Sequence, residues 1–403
     1  MNPVIGLDVA KGESIAQAFL DKGTPHGKQF TVVHTHDGLE DFHQVLREVE
    51  AKSGLQPTII LEATGHYHAP IIRFLDDQNY VYIMVNPLIA YSAKKSSLRK
   101  VKTDAVDAYS LCELFYKEDF EPFKKRGLQL LNLRSLTRQH AAITRLSVQT
   151  KLQFQAVLDQ VFPEYKGVFG DLYSKVSLRT LLEFPTADSV LNVTEAKLTK
   201  RVSELCKSRS ERWSREKARE IIAAATRNPF RNVLLEGYLL SLKMYIQMIL
   251  QYQEHLSHLE KTIDALAEEI EEYKIIQSIP GVGEKIAATI ISEIGEIDRF
   301  NHPKKLVAFA GIDPSVHSSG KFTATINRIT KRGSSRLRHT LYCAVECGLR
   351  KTRNKRLKTF YDKKRAEGKP YKQAVIACVN KLIHWIYVLL KRKELFVERK
   401  HDL

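Results

Sequence analysis

Val4-Ile5-Gly6-Leu7-Asp8-Val9 is an apolar strand interrupted by one acid, and it opens a stretch in which strand and helix patterns alternate. Residues 29 to 34 are β-branched and alternating, and the turn Asp37-Gly38 follows. Residues 39 to 52 have helical spacing. After Pro57 a second short apolar run, Thr58-Ile59-Ile60-Leu61, ends in Glu62. Residues 68 to 77 then read as a helix and 81 to 85 as a strand. This alternation predicts a sheet with helices packed on it, an α/β domain over residues 1–125.

Beyond it the strand signals vanish. Over residues 128 to 162, Leu133, Leu136, Ile143 and Leu146 keep a helical stripe that Pro163 ends. A second long helical pattern covers residues 233 to 273. Leu239, Leu242, Ile246 and Ile249 step by three and four, and Leu256, Leu259, Ile263, Leu266 and Ile270 resume after a slip at residues 251 to 253. Heptad spacing with charged flanks predicts coiled-coil pairing, either of the two helices as an antiparallel stalk or with another subunit. Residues 164 to 232 read as short helices, with Thr194 and Ser214 as N-caps. The chain therefore divides into an α/β domain (1–125), a helical coiled-coil connector (126–273) and a mostly helical C-terminal domain (274–403). Residues 374 to 390 read as an amphipathic helix too short and polar for a membrane.

The chain of 403 residues carries 63 Lys and Arg against 46 Asp and Glu, a formal charge of +17. That excess points to a polyanionic partner, most often nucleic acid; no membrane partner is expected. Cys112, Cys206, Cys343, Cys347 and Cys378 are scattered without disulfide or zinc spacing, which fits a reducing cytoplasm. His339, Cys343 and Cys347 fall on one helical face, which reads as packing rather than a metal clip. No basic stretch precedes an apolar core at the N-terminus, so no signal peptide is expected, and the protein is expected in the cytoplasm, with the nucleoid when active.

Four carboxylates stand where elements end or begin. Asp8 and Glu62 close strands, and Asp104 and Asp107 lie three apart in Lys102-Thr103-Asp104-Ala105-Val106-Asp107, on one side of a helix. Clustered carboxylates repel unless a cation holds them, and phosphodiester chemistry uses two divalent ions with hard oxygen ligands. The expected cofactor is Mg²⁺, as two ions, with Mn²⁺ as a substitute. Lys94, Lys95, Arg99, Lys100 and Lys102 form an acid-free basic run just upstream, suited to a phosphate backbone.

Ile279-Pro280-Gly281-Val282-Gly283-Glu284-Lys285 before an apolar helical run looks like a helix-hairpin-helix turn, in which Gly281, Gly283 and Lys285 would approach phosphates. Phe309-Ala310-Gly311-Ile312-Asp313-Pro314-Ser315-Val316-His317-Ser318-Ser319-Gly320-Lys321 follows, and then Ile329-Thr330-Lys331-Arg332-Gly333-Ser334. Arg328, Lys331, Arg332, Arg336 and Arg338 can bind phosphate and stabilise developing charge. A serine hydroxyl needs activation to act as a nucleophile, and the residues alone do not choose among Ser315, Ser318, Ser319 and Ser334.

In this order the motifs resemble the DEDD insertion-sequence transposases of the IS110 family, relatives of the Piv DNA invertase, over nearly the whole chain. Gly-Leu-Asp-Val-Ala-Lys, Leu-Glu-Ala-Thr-Gly and Lys-Thr-Asp-Ala-Val-Asp-Ala match that family's RuvC-like (RNase H-fold) domain. Ile-Pro-Gly-Val-Gly, Phe-Ala-Gly-Ile-Asp-Pro, Ser-Ser-Gly-Lys and Ile-Thr-Lys-Arg-Gly match its C-terminal domain. The resemblance implies that Asp8, Glu62, Asp104 and Asp107 are the catalytic, metal-binding acids. It also implies a nucleophilic serine before glycine, Ser319, with Ser318 its neighbour. It further implies donor and target DNA as substrates, a structured noncoding bridge RNA as guide, and a tetramer built as a dimer of dimers. A RuvC-like structure-specific endonuclease using only the acids is the competing enzyme reading. A nucleic-acid-binding protein with a decayed site is the competing non-enzyme reading, and the presence of all four acids and the serine argues against it.

Overall fold

The computed structural model describes residues 2–62, 66–85, 104–118, 128–230, 236–315, 318–319, 322–323 and 328–398. It contains two compact units, Met1–Lys125 and Arg126–Leu403.

The first unit is built on a five-stranded sheet: β1 (Val4–Val9), β2 (Glu13–Asp21), β3 (Thr24–Val33), β4 (Thr58–Glu62) and β5 (Tyr82–Val85), in the order β3-β2-β1-β4-β5. β1 pairs antiparallel with β2 and β2 with β3, whereas β1–β4 and β4–β5 are parallel. Strand β2 was not expected. Its sequence, Glu-Ser-Ile-Ala-Gln-Ala-Phe-Leu-Asp, is poor in β-branched residues, and hydrogen bonding on both edges supplies what local propensity lacks. The edge strand β3 starts at Thr24, before the alternating run, because the β2 hairpin pairs it from Asp21↔Thr24 onward.

Helices α1 (His36–Ser53) and α2 (Ala69–Asp77) cover one face of the sheet and α3 (Asp104–Lys117) packs against the other. Thr35 caps α1 by accepting a hydrogen bond from the Gly38 amide at 3.2 Å, and Gly54 ends it in the left-handed region at φ 74°. Ile5, Leu7, Ile59 and Leu61 bury towards α1 and α2; Val4 and Ile60 bury towards α3 with Leu111 and Cys112. Gly6 lets α3 lie directly on β1, because a Cβ there would stand 2.3 Å from the Ala108 carbonyl oxygen. The Cys112 thiol fills the same contact, accepting from the Gly6 amide at 3.1 Å and donating to the Gln17 carbonyl at 3.2 Å. Burial pushes its pKa up to about 12, so this thiol is a packing group.

The second unit is helical. Its long helices α4 (Leu128–Val161) and α9 (Glu236–Glu268) lie antiparallel against each other, since Gln129 meets Glu269 and His140 meets Glu260. Each of these helices thus has its partner within the same chain. The slip in the apolar pattern separates two cores. Leu242, Ile246 and Ile249 join a core with α5 (Lys175–Glu183), α6 (Ala187–Leu191), α7 (Glu195–Leu205) and α8 (Glu211–Arg227). Leu259, Ile263 and Ala267 join the core of the C-terminal helices. Between them Gln253 donates to the Tyr173 carbonyl at 2.7 Å. Three sequence readings need correction here. Leu146 is 48% exposed rather than part of the stripe. Ser210, not Ser214, caps α8; Ser214 is buried one turn later. The second long helix stops at Glu268, Ile270 takes an extended conformation, and α10 (Glu271–Gln277) is separate. Thr194 does cap α7.

The C-terminal part continues with α11 (Glu284–Ile294), α12 (Pro303–Ala310), the two-residue strands β6 (Ser318–Ser319) and β7 (Phe322–Thr323), α13 (Ser335–Leu349), α14 (Lys355–Ala366) and α15 (Tyr371–Arg392). At 22 residues α15 is longer than expected and is apolar enough by composition to cross a membrane. Its stripe Val375, Cys378, Val379, Leu382, Ile383, Ile386 and Leu390 is nevertheless buried against the other helices of this core.

Candidate functional site

In the first unit the register brings two of the acids together. Leu7 pairs with Leu61 across the parallel β1–β4 ladder, so Asp8 and Glu62 follow at the same height on neighbouring strands, about 4.8 Å apart in backbone spacing. Side chains alternate along a strand, and Gly6 and Ile60 face α3; two residues on, Asp8 and Glu62 therefore face the same way. Both are half-buried. Asp107 sits in the first turns of α3, one residue before the Ala108 that rests on Gly6, and is 8% exposed. Asp104 is the first residue of that helix, and its side chain lies outside the described residues. Asp8 and Glu62 thus share one corner of the sheet, and the helix that carries Asp104 and Asp107 packs on the face to which they point. Among the described residues no three His, Cys, Asp or Glu side chains approach closely enough to form a ready metal cage, at this corner or at His339, Cys343 and Cys347. The donors at the corner are all carboxylate oxygens, the type a hard divalent cation takes. The basic run Lys94, Lys95, Arg99, Lys100 and Lys102 lies outside the described residues.

In the second unit the glycine turn does join two helices, α10 and α11. Gly281, at φ 97°, lies backbone to backbone against Gly348 of α13: a Cβ on it would come within 2.4 Å of the Gly348 Cα. Asn354 clamps the turn by donating to the Pro280 carbonyl at 3.1 Å. Gly283 is exposed with open space around its Cβ position, so a backbone approach there is unobstructed. Lys285 instead pairs with Glu260 of α9.

The serine-bearing segment leaves and re-enters the fold through a narrow neck. Gly311 and Gly333 lie in contact, and a Cβ on Gly333 would stand 2.0 Å from the Phe309 carbonyl oxygen. Above them the Thr330 amide and hydroxyl donate to the carbonyl (2.9 Å) and carboxylate (2.6 Å) of Asp313. The amide and hydroxyl of Ser315 both donate to the Arg328 carbonyl, at 2.8 and 2.9 Å. This explains why the Phe-Ala-Gly and Lys-Arg-Gly stretches need their glycines. It also gives two of the candidate serines structural duties. Ser315 closes the neck, and Ser334 caps α13 while donating to Glu293 at 3.2 Å. Ser319 lies beyond the neck, its backbone paired with Phe322, and its side chain lies outside the described residues, as does that of Ser318. Arg338 braces the neck through the Ala310 carbonyl at 3.0 Å, whereas Arg328, Lys331, Arg332 and Arg336 are exposed.

The sequence reading missed Glu293. It is fully buried in α11, and Arg138 of α4 grips it with two hydrogen bonds of 2.7 and 3.1 Å. Burial alone would raise its pKa, but Arg138 and Arg134 hold it below the ordinary carboxylate value. The signal was available: a lone acid inside the apolar run Ile290-Ile291-Ser292-Glu293-Ile294, the same anomaly that marks Asp8.

Comparison with known proteins accounts for both halves. A transposase family model of the IS110 DEDD type matches residues 5–163, and the IS116/IS110/IS902 transposase family model matches residues 273–362. The chain is 23% identical to a 44.8 kDa protein of insertion element IS116 from Streptomyces clavuligerus, over 97% of this chain and 95% of that one. It is 24% identical to the pilin gene-inverting protein of Moraxella bovis, over 99% of this chain and 98% of that one. It is 33% identical to the IS1111A transposase of Coxiella burnetii, over 37% of this chain and 41% of that one. With two models of one family covering its acidic and serine-bearing parts, the chain belongs to the IS110 family of transposases, enzymes of DNA transposition and recombination.

Proposed function

We propose that this transposase cuts and rejoins DNA with an RNase H-like acidic site, Asp8, Glu62, Asp104 and Asp107, and with Ser319 as the nucleophile. The observation that carries the reading is the β1–β4 register, which sets Asp8 beside Glu62 on the face that α3 covers. The strand order β3-β2-β1-β4-β5, with the first three strands antiparallel, supports the RuvC-like assignment. The four acids would hold divalent metal, Mg²⁺ by donor type. When bound, the metal supplies positive charge for the attacking and leaving oxygens. The chain's own parts do the positioning. The neck at Asp313–Thr330 and Ser315–Arg328 presents the serine loop, and Arg328, Lys331, Arg332 and Arg336 offset phosphate charge. Gly283 offers backbone approach to a phosphate, whereas Gly281 is taken up by its packing against Gly348.

In the proposed step the Ser319 oxygen bonds to phosphorus as a bridging P–O bond breaks. The hydroxyl proton ends on the departing sugar oxygen, and the phosphodiester energy is kept in the serine ester for rejoining. The +17 charge leaves room for a second nucleic acid, and the family resemblance supports a structured guide RNA and a tetramer. Purification from cells carrying the whole element should therefore recover one discrete RNA, and full recombination by RNA-free protein would refute guidance. Light scattering with DNA and RNA bound should give a mass above the monomer.

The decisive experiment traps the reaction on nicked substrate, denatures it and maps the DNA-linked peptide. Ser319→Ala should lose the adduct and keep DNA binding. An adduct that vanishes only in Ser318→Ala moves the nucleophile by one residue. Free phosphate ends with no adduct at any stage would replace this reading with the hydrolytic nuclease.

A further inference from the structure

Arg138 and Arg134 both reach the Glu293 carboxylate, and Arg299 and Arg336 stand on segments tied to it: the Ser334 hydroxyl, two residues before Arg336, donates to Glu293, and the Ser334 amide donates to the carbonyl of Phe309, whose ring carries the Arg299 guanidinium. Arg138 spends its planar fork on both Glu293 oxygens. Arg134, one turn earlier on α4, reaches that carboxylate only at 3.6 Å, and its Nε is buried without a hydrogen-bond partner. Arg299 lies against a contacting pair of rings, 4.7 Å from the Phe300 centroid and 4.6 Å from that of Phe309. Among the described residues no ion pair or hydrogen bond engages its side chain. Ring faces fix a guanidinium's plane but accept none of its five N–H donors. Arg336 is exposed in the first turn of α13, two residues after the Ser334 that donates to Glu293.

Arg138 takes up both Glu293 oxygens, so the Arg134 Nε and the Arg299 fork are left as a surplus of cationic donors partly out of water. Burial and the mutual repulsion of these groups lower the pKa of Arg134 and Arg299. A surplus of this kind is unfavourable unless an anion completes it. Planar, fork-shaped donors on fixed stems suit phosphate oxygens. The cluster also stands at the foot of the serine loop, because Ser334, which ends the neck, donates to Glu293.

We propose that Arg134, Arg299 and Arg336 form a phosphate subsite for the DNA backbone, braced from within by the Arg138–Glu293 pair. The subsite rests on the reading of this unit as the DNA-processing one, and it adds Arg134 and Arg299 to Arg336 as contacts at the root of the serine loop. Arg134 and Arg299 are preset by packing; Arg336 closes over the phosphate from the exposed side.

The test is binding of the full-length protein to labelled duplex DNA by fluorescence anisotropy over a salt series. Each of Arg134→Gln, Arg299→Gln and Arg336→Gln should weaken binding several-fold and lower the slope of log K against log salt by about one. Arg336→Gln keeps the test valid if the more buried variants misfold, since Arg336 touches neither Glu293 nor the rings. Arg212→Gln, an exposed cation on α8, a helix of the other core, should leave the slope unchanged. In a second arm, inorganic phosphate at constant ionic strength should raise the Tm of the wild type and not that of Arg336→Gln. A wild-type slope in Arg336→Gln together with equal phosphate response overturns the subsite. A slope change confined to duplex RNA also overturns it, by assigning the cluster to RNA. Because no cleavage is read, the slope effect appearing in a protein that never forms the serine adduct would support the subsite while sinking the proposed chemistry.

Discussion

The acidic corner of the first unit and the neck of the second are assembled in opposite ways. At the corner, strand register does the positioning: Asp8 and Glu62 are neighbours because Leu7 pairs with Leu61, and α3, which carries Asp107, packs on the same face because Gly6 lets it lie flat. At the neck, side chains do it: Asp313, Thr330, Ser315 and Ser334 each make a directed hydrogen bond, and a buried ion pair anchors the base. A site set by register tolerates changes in its own side chains without loss of fold. A site set by side-chain bonds couples chemistry to stability.

That contrast makes the largest expected effect a purely chemical one. Asp8→Ala and Asp104→Ala should lower strand cleavage by roughly a thousandfold or more, the scale seen when charge stabilisation at a reacting phosphate is lost. Far-ultraviolet circular dichroism and DNA affinity should stay near wild type. Wild-type cleavage by both variants, or cleavage in excess chelator, would remove the acidic site from the mechanism.

At the neck the expected effect is on stability. Glu293→Ala leaves Arg138 and Arg134 without their carboxylate and should cost about 3 kcal/mol, read as a lowered denaturant midpoint. The same pair predicts a pH dependence. The folded-state pKa of Glu293 is depressed, so its contribution is present above the ordinary carboxylate pKa and is lost as pH falls through the folded value. The wild type should therefore lose more stability on acidification than Glu293→Gln does. Parallel pH profiles in the two proteins would contradict the depressed pKa.

The smallest effect sharpens the comparison at the corner. Gly6→Ala drives a methyl group into the Ala108 carbonyl and the Cys112 thiol, and should cost roughly 1–3 kcal/mol through overpacking. Because α3 carries Asp107, cleavage should fall along with Tm, unlike in the Asp8 variant. Full activity in a destabilised Gly6→Ala protein would show that the seat of α3 does not set the site.

The sequence alone determined the strands that carry Asp8 and Glu62, the helices that follow them, the glycine turn before α11 and the motifs that identify the family, while β1 runs one residue past Asp8 to Val9. Each rests on a local rule: alternation, helical spacing, or a backbone only glycine allows. Tertiary structure decided what such rules leave open. Strand β2 forms because both its edges are paired, although its own residues favour a strand weakly. The long apolar stripes of α4 and α9 fit an internal or an external partner equally, and only the folded chain joins them to each other. Glu293 meets Arg138 across 155 positions, and Ser315 and Ser334 take structural duties through bonds to Arg328 and Glu293. The physical reason is the same throughout: periodicity records which face of an element is apolar, whereas the identity of what covers that face depends on residues far away in the chain.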